Sequence, residues 1–74
     1  MAARKRYSVV PNGTQWQVKH NGQVLSAHYT KQPAIDAGQR VAKANQPSQL
    51  VVHRADGTIE FEWTYGNDPY PPVG

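Results

Sequence analysis

Hydrophobic and polar residues alternate with a period of two in five segments of the chain, as is typical of strands that bury one face. The alternation is interrupted by three turn dipeptides, Asn12-Gly13, Asn21-Gly22 and Asp56-Gly57. Each dipeptide supplies the positive φ angles of a two-residue hairpin turn, so the sequence predicts three hairpins. The predicted strands lie near residues 6–11, 14–20, 23–29, 48–54 and 58–65.

Between the third and fourth of these strands the apolar residues recur at helical spacing. They are Ala34, Ile35, Ala37, Gly38, Val41, Ala42 and Ala44. Thr30 is the expected N-cap, and Asn45 with Pro47 ends the helix. Because its buried side is mostly Ala and Gly, we expect the helix to lie close to a sheet. The predicted fold is α+β with the order βββαββ, in which a single helix packs on one face of an antiparallel sheet.

Two-residue turns also predict the strand register, because the side chains of a strand alternate between its two faces. Val9 then lies opposite Trp16, and Val18 lies opposite Leu25. In the last hairpin the predicted pairs are Val52 with Phe61, Leu50 with Trp63 and His53 with Glu60. The face expected to contact the helix holds Tyr7, Val9, Trp16, Val18, Leu25, Ala27, Tyr29, Leu50, Val52, Ile59, Phe61 and Trp63.

The opposite face is predicted to be polar. On the first three strands it holds Ser8, Val10, Gln15, Gln17, Lys19, Val24, Ser26 and His28. On the last hairpin it holds Val51, His53, Glu60 and Glu62, and the two carboxylates would repel phosphate. The order of the strands in the sheet decides whether these carboxylates lie beside the polar face, and the sequence does not give that order.

The charge of the chain is unevenly distributed. The 74 residues form one small domain with a net charge of +3 and no cysteine, which excludes a disulfide scaffold and a zinc–thiolate site. Residues 1–54 carry all eight Lys and Arg with one acid, whereas residues 55–74 carry the other four acids. The sequence predicts a flexible basic tail over residues 1–6, a single α+β domain over 7–66 and a Pro-rich tail over 67–74.

Several classes of protein are not expected from this sequence. No apolar run reaches the roughly 20 residues of a membrane span, and no signal-peptide core follows the basic start, so we expect a cytoplasmic protein. The three histidines, His20, His28 and His53, lack metal-ligand spacing, and no phosphate-binding loop or nucleophile elbow is present. We therefore expect neither an enzyme nor a cofactor, a metal site or a small-molecule substrate.

Two binding functions remain as hypotheses, beside an ordinary solvated surface. The first is nucleic-acid binding, because Lys and Arg contact phosphates and Gln can read base edges. Its candidate residues are Arg4, Lys5, Arg6, Gln15, Gln17 and Lys19. The alternative is a protein-interaction or dimerising module that uses a sheet edge or the Pro-rich tail. In that tail Pro71-Pro72 favours an extended polyproline II path, and we expect Tyr70 to dock on the domain rather than on a partner.

The chain resembles a known bacterial family. The resemblance rests on a start of the Tyr7-Ser8-Val9-Val10-Pro11 type, on Trp16-Gln17-Val18-Lys19, on Thr30 before an Ala-rich helix, on Leu50-Val51-Val52-His53 before Asp56-Gly57, and on a TYGNDPYPP-type tail. These features are similar to those of the small bacterial domain-of-unknown-function family 2188. The resemblance implies a cytoplasmic bacterial domain without assigned activity, and it transfers no functional residue to this chain.

Overall fold

A computed structural model describes residues 4–66, which form one five-stranded sheet and one helix. The elements are β1 (Lys5–Asn12), β2 (Gln15–His20), β3 (Gln23–His28), α1 (Lys31–Ala44), β4 (Ser48–His53) and β5 (Ile59–Tyr65). The predicted α+β class and the order βββαββ are confirmed. The expectation that Tyr70 docks on the domain concerns a residue outside the described range.

The strands lie in the order β3-β2-β1-β4-β5, and all neighbouring pairs are antiparallel except one. The exception is the central pair, β1 with β4, which is parallel and sets Tyr7 opposite Leu50 and Val9 opposite Val52. A parallel neighbour requires a crossover connection. Helix α1 provides it, because it leaves the β3 edge, passes over one face of the sheet and returns the chain beside β1.

The core lies between α1 and the centre of the sheet. Its buried members are Tyr7, Val9, Val18, Ala34, Ile35, Ala42, Leu50 and Val52. Gly38 allows the close approach that the small residues of the helix predicted, since a Cβ built there would lie 2.9 Å from Leu50 Cδ1. At the end of the helix, Asn45 Nδ2 donates to the Val41 carbonyl at 2.8 Å and Ser48 Oγ donates to the Ala42 carbonyl at 2.5 Å.

The first hairpin has the predicted faces but not the predicted pairs. Asn12 pairs with Gln15, so the turn residues are Gly13 and Thr14. Val9 pairs with Val18, so the predicted pairing of Val9 with Trp16 is wrong. The shift between the two registers is two residues along one strand. Because side chains alternate with period two, such a shift keeps every residue on its predicted face, and the hydrophobic pattern fits both registers equally well.

The second hairpin changes face part-way along β3. Its turn is the predicted one, with φ of 52° at Asn21 and 80° at Gly22. A β-bulge opposite Val18 and Lys19 then adds one residue to β3, so that Val18 pairs with Ser26 instead of Leu25.

The residues beyond this bulge are therefore reversed relative to the prediction. Ser26 and His28, expected on the outer face, lie opposite the helix-facing Val18 and Trp16. The three expected to contact the helix are exposed instead: Leu25, Ala27 and Tyr29.

The last hairpin confirms the pairs Val52 with Phe61 and Leu50 with Trp63. A second bulge opposite Val52 and His53 pairs His53 with Ile59, so the predicted pair of His53 with Glu60 is wrong. Ile59, which was predicted to contact the helix, is 44% exposed. Val51, predicted on the outer face, is fully buried.

Candidate functional site

The three N-terminal basic residues are attached to the sheet. Strand β1 begins at Lys5, so Lys5 and Arg6 belong to the central strand and not to a tail ahead of it. The Lys5 N–H donates to the Pro47 carbonyl at 3.1 Å, and Arg4 Nη1 donates to the Tyr65 carbonyl at 3.4 Å. All three basic side chains remain exposed to solvent. The backbone therefore fixes where these charged side chains start, and the Arg4 guanidinium group is also held by its hydrogen bond to Tyr65.

Together with the last residue of β2 and the residue after it, the three basic residues line a cavity of about 430 Å³. We call it the basic pocket, and its lining residues are Arg4, Lys5, Arg6, His20 and Asn21. It lies where β1 extends past the end of β2, next to the turn between β2 and β3. Three of its lining side chains are those of Lys and Arg, and the other two are an imidazole and an amide. A cavity with this lining favours an anion, because Lys and Arg supply charge-assisted hydrogen bonds.

His20 is held in one orientation in this pocket. Its ring stacks on Tyr7 with 4.6 Å between ring centroids and 25° between planes. Nδ1 lies 3.0 Å from the Arg6 carbonyl, which can only accept, so Nδ1 carries the proton. Nε2 then accepts from the Asn21 amide at 3.4 Å. In the sequence His20 directly precedes the Asn21-Gly22 turn, and nothing in the strand pattern indicates its contact with Arg6.

The remaining candidate residues lie in a row along β2. Lys19 pairs with Ser8, Gln17 with Val10 and Gln15 with Asn12, so all three face away from the helix as predicted. Arg6 lies on the same face of β1, two residues before Ser8. Arg6 therefore connects the basic pocket to this row. We call the four residues together the outer row: Arg6, Lys19, Gln17 and Gln15.

Three acidic residues belong to the last hairpin, at the other edge of the sheet: Asp56, Glu60 and Glu62. Glu62 is on β5, separated from β2 by β4 and β1, and accepts a hydrogen bond from Gln49 Nε2 at 2.5 Å. Glu60 forms an ion pair with Lys31 of the helix. Asp56 lies in the last turn, where hydrogen bonds from the Thr58 hydroxyl and N–H lower the pKa of its carboxyl group. These three carboxylates lie away from β2, but two basic residues lie beside them: Lys31 in the ion pair, and Arg54, whose Nη1 donates to the Ile59 carbonyl at 3.0 Å.

A second cavity, of about 380 Å³, lies between α1 and the edge strand β5. We call it the helix–strand groove, and its lining residues are Lys31, Gln32, Ile35, Gln39, Glu60, Phe61 and Trp63. The helix packs on β1 to β4, so the helix-facing side of β5 is only partly covered. Trp63, predicted to lie in the core, is 37% exposed. Tyr65 at the end of the same strand is more enclosed, and burial raises the pKa of its hydroxyl group.

Between Arg4 and Gly66 no group of three or more His, Asp or Glu side chains is placed to hold a metal ion. Within the same residues no helix is long and apolar enough to cross a membrane.

Residues 7–65 match the family model described as "Uncharacterized protein conserved in bacteria (DUF2188)". The chain belongs to this family. It is also similar to "Uncharacterized protein YycD" of Bacillus subtilis (strain 168), with 33% identity over 64 residues that cover 82% of this chain and 97% of YycD. No solved structure matches the chain.

The family match confirms the resemblance drawn from the sequence, and it divides the candidate site. The outer-row residues of β2, together with His20 and Asn21, lie inside the matched range. Arg4, Lys5 and Arg6 lie before it. The cationic half of the basic pocket is therefore supplied by residues outside the matched family range.

Proposed function

We propose that this protein is a cytoplasmic, non-enzymatic module that binds nucleic acid. The observation that supports the proposal is the basic pocket, in which Arg4, Lys5 and Arg6 surround one cavity at the end of a polar sheet face. In this proposal a backbone phosphate occupies the pocket and the outer row lies along the duplex. Arg6 takes part in both contacts.

The chemistry of the two surfaces fits a division of roles. Lys and Arg contacts to phosphates supply sequence-independent affinity, whereas the amide groups of Gln can hydrogen-bond to base edges, adenine in particular. Gln15 and Gln17 are half-buried and lie two residues apart on one strand face. The four cations of the pocket and outer row, Arg4 to Arg6 and Lys19, are few for a duplex-binding surface. We therefore expect weak binding that depends strongly on salt.

A salt titration with matched variants tests this proposal. Binding of the full chain to a fluorescent mixed-sequence duplex is measured by anisotropy from about 50 to 200 mM salt. Arg6→Gln is expected to weaken binding and to reduce the salt slope by about 1, as loss of one phosphate contact does. Arg40→Gln removes the same charge from an exposed position on the helix and is expected to leave the slope unchanged. Absence of binding at low salt, or equal losses in both variants, would refute the proposal.

A second function is supported by the exposed edge of the sheet. Strand β3 is an edge strand, and Val24, Leu25 and Tyr29 at or beside it are 45%, 43% and 81% exposed. We propose as the alternative that two copies pair their β3 edges about a twofold axis. Sedimentation at micromolar concentration is expected to show a dimer that Val24→Lys dissociates. A monomer at all concentrations would exclude this alternative.

A further inference from the structure

The helix–strand groove leaves apolar surface uncovered beside the core. Trp63 is 37% exposed although its strand partner Leu50 is fully buried. Phe61 and Trp63 pack edge to face with 4.6 Å between ring centroids, and Ile35 from the helix lies in the same groove. The rim is polar, formed by the Lys31–Glu60 ion pair and the Gln32 and Gln39 amides. A groove with an aromatic floor and a polar rim is the type of site that proline-rich segments occupy.

The chain carries a segment of matching chemistry directly after this strand. Residues 67–74, with the sequence NDPYPPVG, contain three of the six prolines and one tyrosine. Consecutive prolines favour the extended polyproline II conformation, which lowers the entropy lost when such a segment binds. We propose that the helix–strand groove is the docking site for residues 67–74 of the same chain, with Tyr70 and the two prolines after it contacting Phe61 and Trp63.

The distances permit this contact within one molecule. Trp63 precedes Gly66 by three residues, which is about 10 Å at about 3.3 Å per strand residue. Tyr70 follows Gly66 by four residues, which is about 12 Å at about 3.1 Å per residue of polyproline II. A segment that reverses direction at Gly66 therefore brings Tyr70 level with Trp63. Its connection to β5 gives it a high effective concentration, which favours it over a second copy or a free partner.

Gly66 has a backbone conformation that residues with a side chain rarely adopt. Its φ of 126° lies in the region that favours glycine, and a Cβ there would be 2.8 Å from Pro47 Cα. The strand therefore ends at a residue packed against the start of β4, at the same end of the sheet as Tyr65. The next residue begins the segment that we assign to the groove.

NMR of the full chain tests the proposal, because its two tryptophans report on different places. Trp63 lines the groove, whereas Trp16 on β2 is near it only through Lys31, whose Nζ lies 5.3 Å from the centroid of the Trp16 ring. We expect nuclear Overhauser contacts between the rings of Tyr70 and Trp63, and a change in the Trp63 indole N–H signal in Tyr70→Ala. Tyr29→Ala, which removes a tyrosine that is 81% exposed in the connection between β3 and the helix, is the matched control and is expected to leave that signal in place.

Three results would overturn the proposal. The first is the absence of any contact from residues 67–74 to Phe61, Trp63 or Ile35 in the unmodified chain. The second is an equal change of the Trp63 signal in Tyr70→Ala and Tyr29→Ala. The third is a contact seen only between differently labelled molecules, which would assign the groove to a second copy.

Discussion

Gly38 lies where the helix packs closely on the sheet, and its replacement by alanine tests this packing directly. A Cβ at this position would lie 2.9 Å from Leu50 Cδ1 and 3.1 Å from Val9 Cγ2. Leu50 and Val9 are both fully buried, so neither side chain has free space to move into. We therefore expect the added methyl group to push the helix away from the sheet or to force Leu50 out of its preferred rotamer.

The size of the effect follows from two opposing contributions. Replacing glycine by alanine inside a helix stabilises it by about 1 kcal/mol when the new side chain meets nothing. Adding a methyl group to a packed core costs about 1 to 3 kcal/mol. The second contribution is larger, so we expect Gly38→Ala to destabilise the protein by about 1 kcal/mol. For a domain of this size that corresponds to a fall in melting temperature of about 4 to 8 °C, measurable by circular dichroism.

A double-mutant cycle separates the close contact from other causes. Leu50→Val removes the atom nearest to the new methyl group, although it also leaves a small cavity. We expect Gly38→Ala to cost less in the Leu50→Val background than in the unmodified protein, because the two sites are in contact. A higher melting temperature for Gly38→Ala alone, or the same cost in both backgrounds, would show that the helix does not lie as close to Leu50 as the structure indicates.

Three further predictions concern single side chains. Gly66→Ala combines a strained φ with a backbone clash, so we expect it to lower the free energy of unfolding by about 2 kcal/mol or more. Gly13→Ala is the comparison and is expected to cost about 1 kcal/mol, because a Cβ there meets nothing within 4 Å. Ser48→Ala removes a buried hydrogen bond and should cost about 1 to 2 kcal/mol in urea unfolding, whereas Ser48→Thr should retain the bond. Hydrogen bonds from Thr58 hold the pKa of Asp56 below its usual value of 3.8. The contribution of these bonds to folding stability is therefore fully present above pH 3.8, and it is lost as the pH falls through the lower pKa of the folded state. The melting temperature should therefore fall further on acidification in the unmodified protein than in Asp56→Asn, and equal falls would contradict this.

The turns and faces could be predicted because they depend on local signals. Asn21-Gly22 supplies the two positive φ angles that its hairpin needs, and the turn forms there. At the first hairpin the same type of signal, Asn12-Gly13, placed the turn one residue early. The error did not affect the predicted faces, because the register shift was two residues and alternation has period two.

The two bulges could not be read from alternation, because one extra residue changes the pairing without changing the composition of the strand. In β3 the adjacent apolar residues Val24 and Leu25 interrupt the alternation, and this was the available signal. Its consequence is functional: the bulge moves Ser26 and His28 to the helix side and leaves Leu25 exposed at a sheet edge. The outer face proposed for nucleic acid is therefore narrower than the sequence predicted, and the edge available for self-association is more apolar.

The position of β4 beside β1 explains why the basic pocket exists. The run Leu50-Val51-Val52 is fully buried on both faces, as is typical of an interior strand, and its place in the sheet depends on the crossover through the helix. The pairing of β4 with β1 continues to Lys5 and Arg6, two residues beyond the point where β2 ends opposite Tyr7. Ladder hydrogen bonds to β4 therefore hold the first residues of β1 in place, while the missing β2 partner leaves space beside them. The parallel pairing of β1 with β4 therefore makes Lys5 and Arg6, which were predicted from the sequence to belong to a flexible tail, part of the lining of the basic pocket.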